Sequence, residues 1–223
     1  MASSARENVN IKWERVSLIE RFATVLYPFE PTELLRELPK LGYIVAERIL
    51  FGARLESGKP IATKGNVELI INQDNKTLGV MGRDIESVLT EFMNLREFWM
   101  KQLDPSPNTR THYVEIDCDA WAKAQRSPIE AFGGLWEGSA RMQRLGKLLK
   151  CDVTTFGLDI CPPNTDTNSP DWFEIWIHPV VASSNTRYHI KVIWRKQQLD
   201  DVLRILKDID NTVKEVILEI ERS

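Results

Sequence analysis

Apolar residues alternate with polar ones in several short stretches of this chain and recur at helical spacing in others. The pattern predicts a mixed α and β protein. A run from Arg21 to Tyr27, stopped by Pro28, reads as a first strand. Pro31 then suits a first helical position, and Leu34, Leu35, Leu38 and Leu41 make an apolar stripe ending at Gly42. Three extended runs follow, Tyr43 to about Leu55, Asn66 to Asn72 and Thr77 to Met81, the last two joined by a turn at Asp74-Asn75. Asp84 is placed to cap a helix whose buried stripe is Ile85, Val88, Leu89, Phe92, Leu95 and Trp99.

The run Asp104-Pro105-Ser106-Pro107-Asn108 is the clearest break in the pattern, and beyond it the order of elements repeats. His112 to Cys118 reads as a strand. Ser127-Pro128-Ile129-Glu130 has the form of a capping box and opens a helical region reaching Lys150, with Gly133-Gly134 placed to divide it. Strands are expected at Thr154 to Cys161, Trp172 to His178 and Tyr188 to Arg195. A long helix follows, with Leu199, Val202, Leu203, Leu206, Ile209, Val213, Val216, Ile217 and Ile220 on one face. The expected organisation is a loose segment 1–17, a first β-α-β-β-β-α unit 18–103, a linker 104–109 and a second such unit 110–223. Two units of this kind place their strands in one curved, mainly antiparallel sheet with the helices over one face, an α+β architecture.

The order of elements in 21–99 and 112–221 resembles the TATA-binding-protein-like folds, in which a saddle of strands carries helices on its convex side. A duplicated ferredoxin-like arrangement fits the same order. The resemblance lies in topology and carries over no functional residue. The basic excess of a DNA-binding saddle is missing, and so are matched phenylalanine pairs to wedge between base steps.

Composition narrows the reading further. Across 223 residues, 43% are hydrophobic and 27% charged, a balance that supports a folded core without staples. A formal net charge of −3 disfavours binding through phosphate contacts, although it leaves room for a local basic patch. Cys118, Cys151 and Cys161 form neither a disulfide framework nor a CxxC pattern, so reduced thiols and a cytoplasmic setting are expected. The first ten residues contain no apolar targeting segment, and no apolar run approaches spanning length, so no membrane partner is expected. Asn75-Lys76-Thr77 matches a glycosylation sequon but reads as part of the hairpin turn.

The surface most open to function is a sheet face. Alternation sends Phe173, Ile175, Ile177, Tyr188, Ile190, Val192 and Trp194 to the core and leaves Trp172, Glu174, Trp176, His178, Arg187, His189, Lys191 and Arg195 on the other face. A register with His178 opposite His189 also sets Trp176 against Lys191 and Trp172 against Arg195, two cross-strand cation–π pairs. Trp, His and Arg are types that recur at interface hot spots, so this face is a candidate binding surface. In the first half, Ala23, Val25, Tyr27, Ile70 and Met81 are expected on the corresponding face, too apolar to stand bare. Of these, Val25, Tyr27, Ile70 and Met81 are the candidate interface residues.

Sharper chemistry has less support. His178 and His189 with Glu174 fall short of a zinc ligand set, and neither a metal nor a cofactor is expected. Glu115, Asp117 and Asp159 occupy outward strand positions that suit paired-carboxylate catalysis, yet solvated strand faces often carry such groups. Nucleotide loops and a GxSxG elbow are absent from the sequence. The reading that follows is a non-enzymatic binding or assembly protein, acting as a homodimer or as a subunit of a larger complex. The alternatives are a ligand-binding protein or enzyme with Glu115, Asp117, Glu174, His178 and His189 in the sheet cavity, and a nucleic-acid binder stacking bases on Trp172 and Trp176, with Arg187, Lys191 and Arg195 on phosphates.

Overall fold

The computed structural model describes residues 9–50, 59–103, 110–183 and 185–222. Strand β1 (Ile11–Phe22) is followed by helix α1 (Pro31–Glu37), which runs into a 3-10 turn closed by Gly42, and by the two-residue strand β2 (Ile44–Val45) and the short helix α2 (Glu47–Leu50). Strands β3 (Pro60–Lys64), β4 (Val67–Asn72) and β5 (Thr77–Gly82) lead into helix α3 (Ile85–Gln102). The remainder comprises β6 (Thr111–Lys123), α4 (Pro128–Leu135), α5 (Ala140–Leu149), β7 (Leu158–Ile160), β8 (Trp172–Pro179), β9 (Arg187–Lys196) and α6 (Leu199–Glu221). The protein is thus α+β, built on one nine-stranded sheet in the order β2-β3-β4-β5-β1-β6-β9-β8-β7. Its neighbouring strands pair antiparallel throughout.

One face of the sheet is largely apolar from β4 to β8. Leu69, Val80, Leu18, Ile116, Trp194 and Phe173 form one row across it, and Val16, Cys118, Val192 and Ile175 form another. Helix α3 buries Val88, Phe92, Leu95 and Trp99 against this layer, and α6 buries Val202, Leu206, Ile209, Val213, Ile217 and Ile220. Each such side chain stabilises the fold by roughly 1.5–3 kcal/mol, which explains why the 3.6-residue stripe predicts α6 so well. Polar ties hold both helices to the same face. Trp13 Nε1 donates to Asp210 of α6 (2.9 Å), and Arg96 of α3 meets Glu20 of β1 (3.2 Å).

Several sequence expectations are corrected. The first strand runs over Ile11–Phe22 rather than 21–27, so β1 begins inside the segment expected to be loose. Outward Arg15 is paired with Asp117 and Asp119 of β6 and inward Glu20 with Arg96, which hides the alternation of Val16, Leu18 and Phe22. The extended run from Tyr43 is only β2 followed by α2, and its end, like the 104–109 linker, lies outside the described residues. β3 was absent from the sequence reading. Asp84 does cap α3, accepting from the amides of Glu86 and Ser87, whereas Ser127 caps nothing with its side chain and instead lies 3.5 Å from Asn185. The α4–α5 break falls after Gly133-Gly134, in a turn where Gly138 adopts φ +72°, a left-handed conformation that favours glycine. The expected strand 154–161 shrinks to β7.

A candidate binding face on the sheet

Outward residues on the helix-free side are set by strand alternation and lie in rows across the sheet. One row is Lys12, Trp121, His189 and His178; the next is Arg15, Asp119, Lys191, Trp176 and Asp159. A third is Glu68, Met81, Ser17, Asp117, Ile193 and Glu174, and a fourth is Ile70, Gly79, Ile19, Glu115, Arg195 and Trp172. The register between β8 and β9 is the one the sequence suggested. Lys191 Nζ lies 5.7 Å from the Trp176 ring centroid, and the Arg195 guanidinium lies 5.2 Å from that of Trp172.

Several charges on this face are paired. Arg15 bonds both Asp117 (3.0 Å) and Asp119 (2.6 Å). Burial works against its positive charge, but the two carboxylates outweigh that cost and raise its pKa above the ordinary arginine value. Lys191 stands 3.9 Å from Asp117, His189 stands 3.8 Å from Asp119, and Arg195 pairs closely with Glu115. His178 Nε2 lies 2.6 Å from Asp159 Oδ1. That approach depends on Gly157, because a Cβ there would fall 2.8 Å from the imidazole ring. Gly79 likewise leaves room for Ile19, whose Cγ1 would lie 2.9 Å from a Cβ at that position.

The two tryptophans of β8 have different environments. Trp172 is 6% exposed. Arg195 covers it and is itself tied to the carbonyl of Thr167 (2.6 Å), on the segment joining β7 to β8. Trp176, at 39%, is exposed. Of the two indoles that alternation places on this face, only Trp176 is open; Trp172 is buried beneath Arg195, which is tied to the 161–171 segment. The exposed part of the face is therefore the corner containing Trp176, His178, His189 and Asp159. Arg187 is also exposed, opposite Lys123 at the end of β9.

The first-half expectation is corrected as well. Val25 lies beyond the end of β1, fully exposed in a loop. Tyr27 packs edge-on against Phe22 and Phe29, beside the core, and its hydroxyl donates to the Thr77 carbonyl (3.1 Å). Ile70 and Met81 do lie on the helix-free face, half-buried. Sequence reasoning missed Trp121, Tyr113, Arg15 and Asp119. Trp121 and Asp119 were within reach, because the alternation of β6 continues past Cys118 through Ala120 and Ala122, and Tyr113 was an outward position of the strand already read.

Glu115, Asp117, Glu174, His178 and His189 are spread over three rows of the sheet face. A wide cleft of about 1100 Å³ lies beside α4 and α5, lined by Trp136, Met142, Lys147 and Cys151 among others, and it includes none of them. Among the described residues, no group of three or more His, Cys, Asp and Glu side chains is placed to hold a metal ion, and no helix is long and apolar enough to cross a membrane. No protein-family model matches the chain, and no curated protein matches it.

Proposed function

We propose that this chain is a non-enzymatic binding or assembly protein whose helix-free sheet face receives a protein partner, in the first instance a second copy of itself. The observation that carries the reading is Trp176. It is a large indole left exposed on a sheet face, flanked by His178, His189 and Asp159, while its neighbour Trp172 is buried under Arg195. An exposed Trp in a ring of polar groups is the composition of an interface centre with its rim. A protein partner fits better than a polyanion, because Arg15, Lys191 and Arg195 already face carboxylates.

The same proposal takes the halves as counterparts in a TATA-binding-protein-like saddle. The strand order supports it: β1 and β6, the first strand of each half, lie side by side, and each is flanked on its other side by the last strand of its half, β5 or β9. A long helix, α3 or α6, follows each of those last strands.

Sedimentation velocity over a wide concentration range tests the assembly. The wild type should sediment above its 25.7 kDa monomer at high concentration, and Trp176→Glu should shift it to monomer with an unchanged circular dichroism spectrum. A wild type that is monomeric throughout, or a variant that associates as well as the wild type, would overturn the reading.

A further inference from the structure

Helix α5 contributes no buried residue to the fold. Its leucines point into solvent: Leu148 is 77% exposed and Leu149 is 63% exposed, with Leu145 also exposed. Trp136, a few residues before the helix, is exposed too. Over residues 140–150 the chain carries Arg141, Arg144, Lys147 and Lys150 and not one carboxylate, although the whole chain has a net charge of −3. None of these four cations forms an ion pair among the described residues. On a helical projection Met142, Leu145, Leu148 and Leu149 share one side; Arg141 lies within that arc, Arg144 at its edge, and Lys147 and Lys150 on the far side.

We propose that α5 lies in the headgroup layer of an anionic lipid bilayer and docks the protein peripherally on that surface. Surface attachment needs no spanning segment. A basic amphipathic helix inserts its leucines between lipids while its cations meet the headgroup charge. The unpaired positive charge of the helix selects an anionic surface, and the acidic remainder of the chain is repelled by that surface, so the protein is oriented with α5 against it. A bilayer also suits the shape better than an acidic protein does. The leucines stand on the ridge of an exposed helix, and a deformable lipid surface accepts a ridge, whereas a folded partner would have to supply a matching groove. With a helix only about 15 Å long, attachment is weak and reversible.

The test is co-sedimentation of the full chain with phosphatidylcholine vesicles, with and without phosphatidylserine. Binding should require phosphatidylserine and weaken with added salt. Arg144→Gln with Lys147→Gln should weaken it about 25-fold, at about fivefold per cation near the surface. Leu148→Glu with Leu149→Glu should abolish binding without lowering the thermal midpoint, because both side chains are exposed. Trp176→Glu should bind as the wild type does, so this proposal stands or falls separately from the sheet-face reading. No retention on phosphatidylserine vesicles at low salt, equal retention of the leucine variant, or binding to an acidic peptide but not to vesicles would each overturn the proposal.

Discussion

Arg195 lies between two aromatic rings, 5.2 Å from the centroid of Trp172 and 4.9 Å from that of Tyr113, while its guanidinium pairs with Glu115. A planar cation suits this position, since it can stack on both rings and still donate in its own plane to Glu115 and the Thr167 carbonyl. Arg195→Lys keeps the charge but loses the stacking, and should cost about 1 kcal/mol in urea unfolding. Arg195→Met also leaves the largely buried Glu115 unpaired and should cost about 2–3 kcal/mol. An Arg195→Lys variant as stable as the wild type would show that the sandwich adds nothing, and equal stabilities for the two variants would show the same of the pairing with Glu115.

The two indoles of β8 should separate by the same measurement. Trp172→Ala opens a cavity at a buried position and should destabilise by about 3–5 kcal/mol. Trp176→Ala loses an exposed ring and one cation–π contact, and should cost about 1 kcal/mol or less. Similar losses at both positions would contradict the burial difference that confines the candidate interface to the Trp176 corner.

Glu20 is a carboxylate in the helix-side layer, 1% exposed, held by Arg96 and Thr111. Burial raises its pKa above the ordinary glutamate value, and the bonds from Thr111 and Arg96 only partly offset that. The folded state therefore binds this proton more tightly than the unfolded chain does. Stability from this group is complete below the unfolded pKa and is lost as pH rises through the folded one. Glu20→Gln should gain stability relative to the wild type as pH is raised from roughly 4 to 7. Urea midpoints of the two proteins across that window measure the difference, and a constant or shrinking gap would be the contrary result.

Cysteine reactivity should be divided two to one. Cys151 and Cys161 are exposed, whereas Cys118 is buried in the sheet, and burial, with Asp117 adding to it, pushes its thiol pKa up. Titration of the native protein with a thiol reagent should count two fast groups, the third appearing only on denaturation. Fast reaction of all three would place Cys118 at a surface.

Local pattern proved a good guide where an element has one wet face and one dry face. The stripes of α3 and α6 and the alternation of β4, β8 and β9 are of this kind, and the register between β8 and β9 followed from cross-strand pairs alone. The pattern failed for β1. Its outward Arg15 and inward Glu20 are charges satisfied by Asp117, Asp119 and Arg96, groups distant in the sequence, so a central strand reads as a polar tail. It also failed at β2 and β3, which are too short to show a period.

The order of apolar and polar residues was enough to determine the α+β class, the long helices and the existence of a helix-free face, because each depends on contacts a few residues apart or on simple alternation. Tertiary structure alone decided which part of that face is open. Arg195 stacks on Trp172 from the cross-strand position that alternation gives it, but its tie to the Thr167 carbonyl comes from a loop whose path no periodicity encodes. Burial is a sum over neighbours that the chain brings together only when folded, so alternation assigns a side chain to a face but not its exposure there.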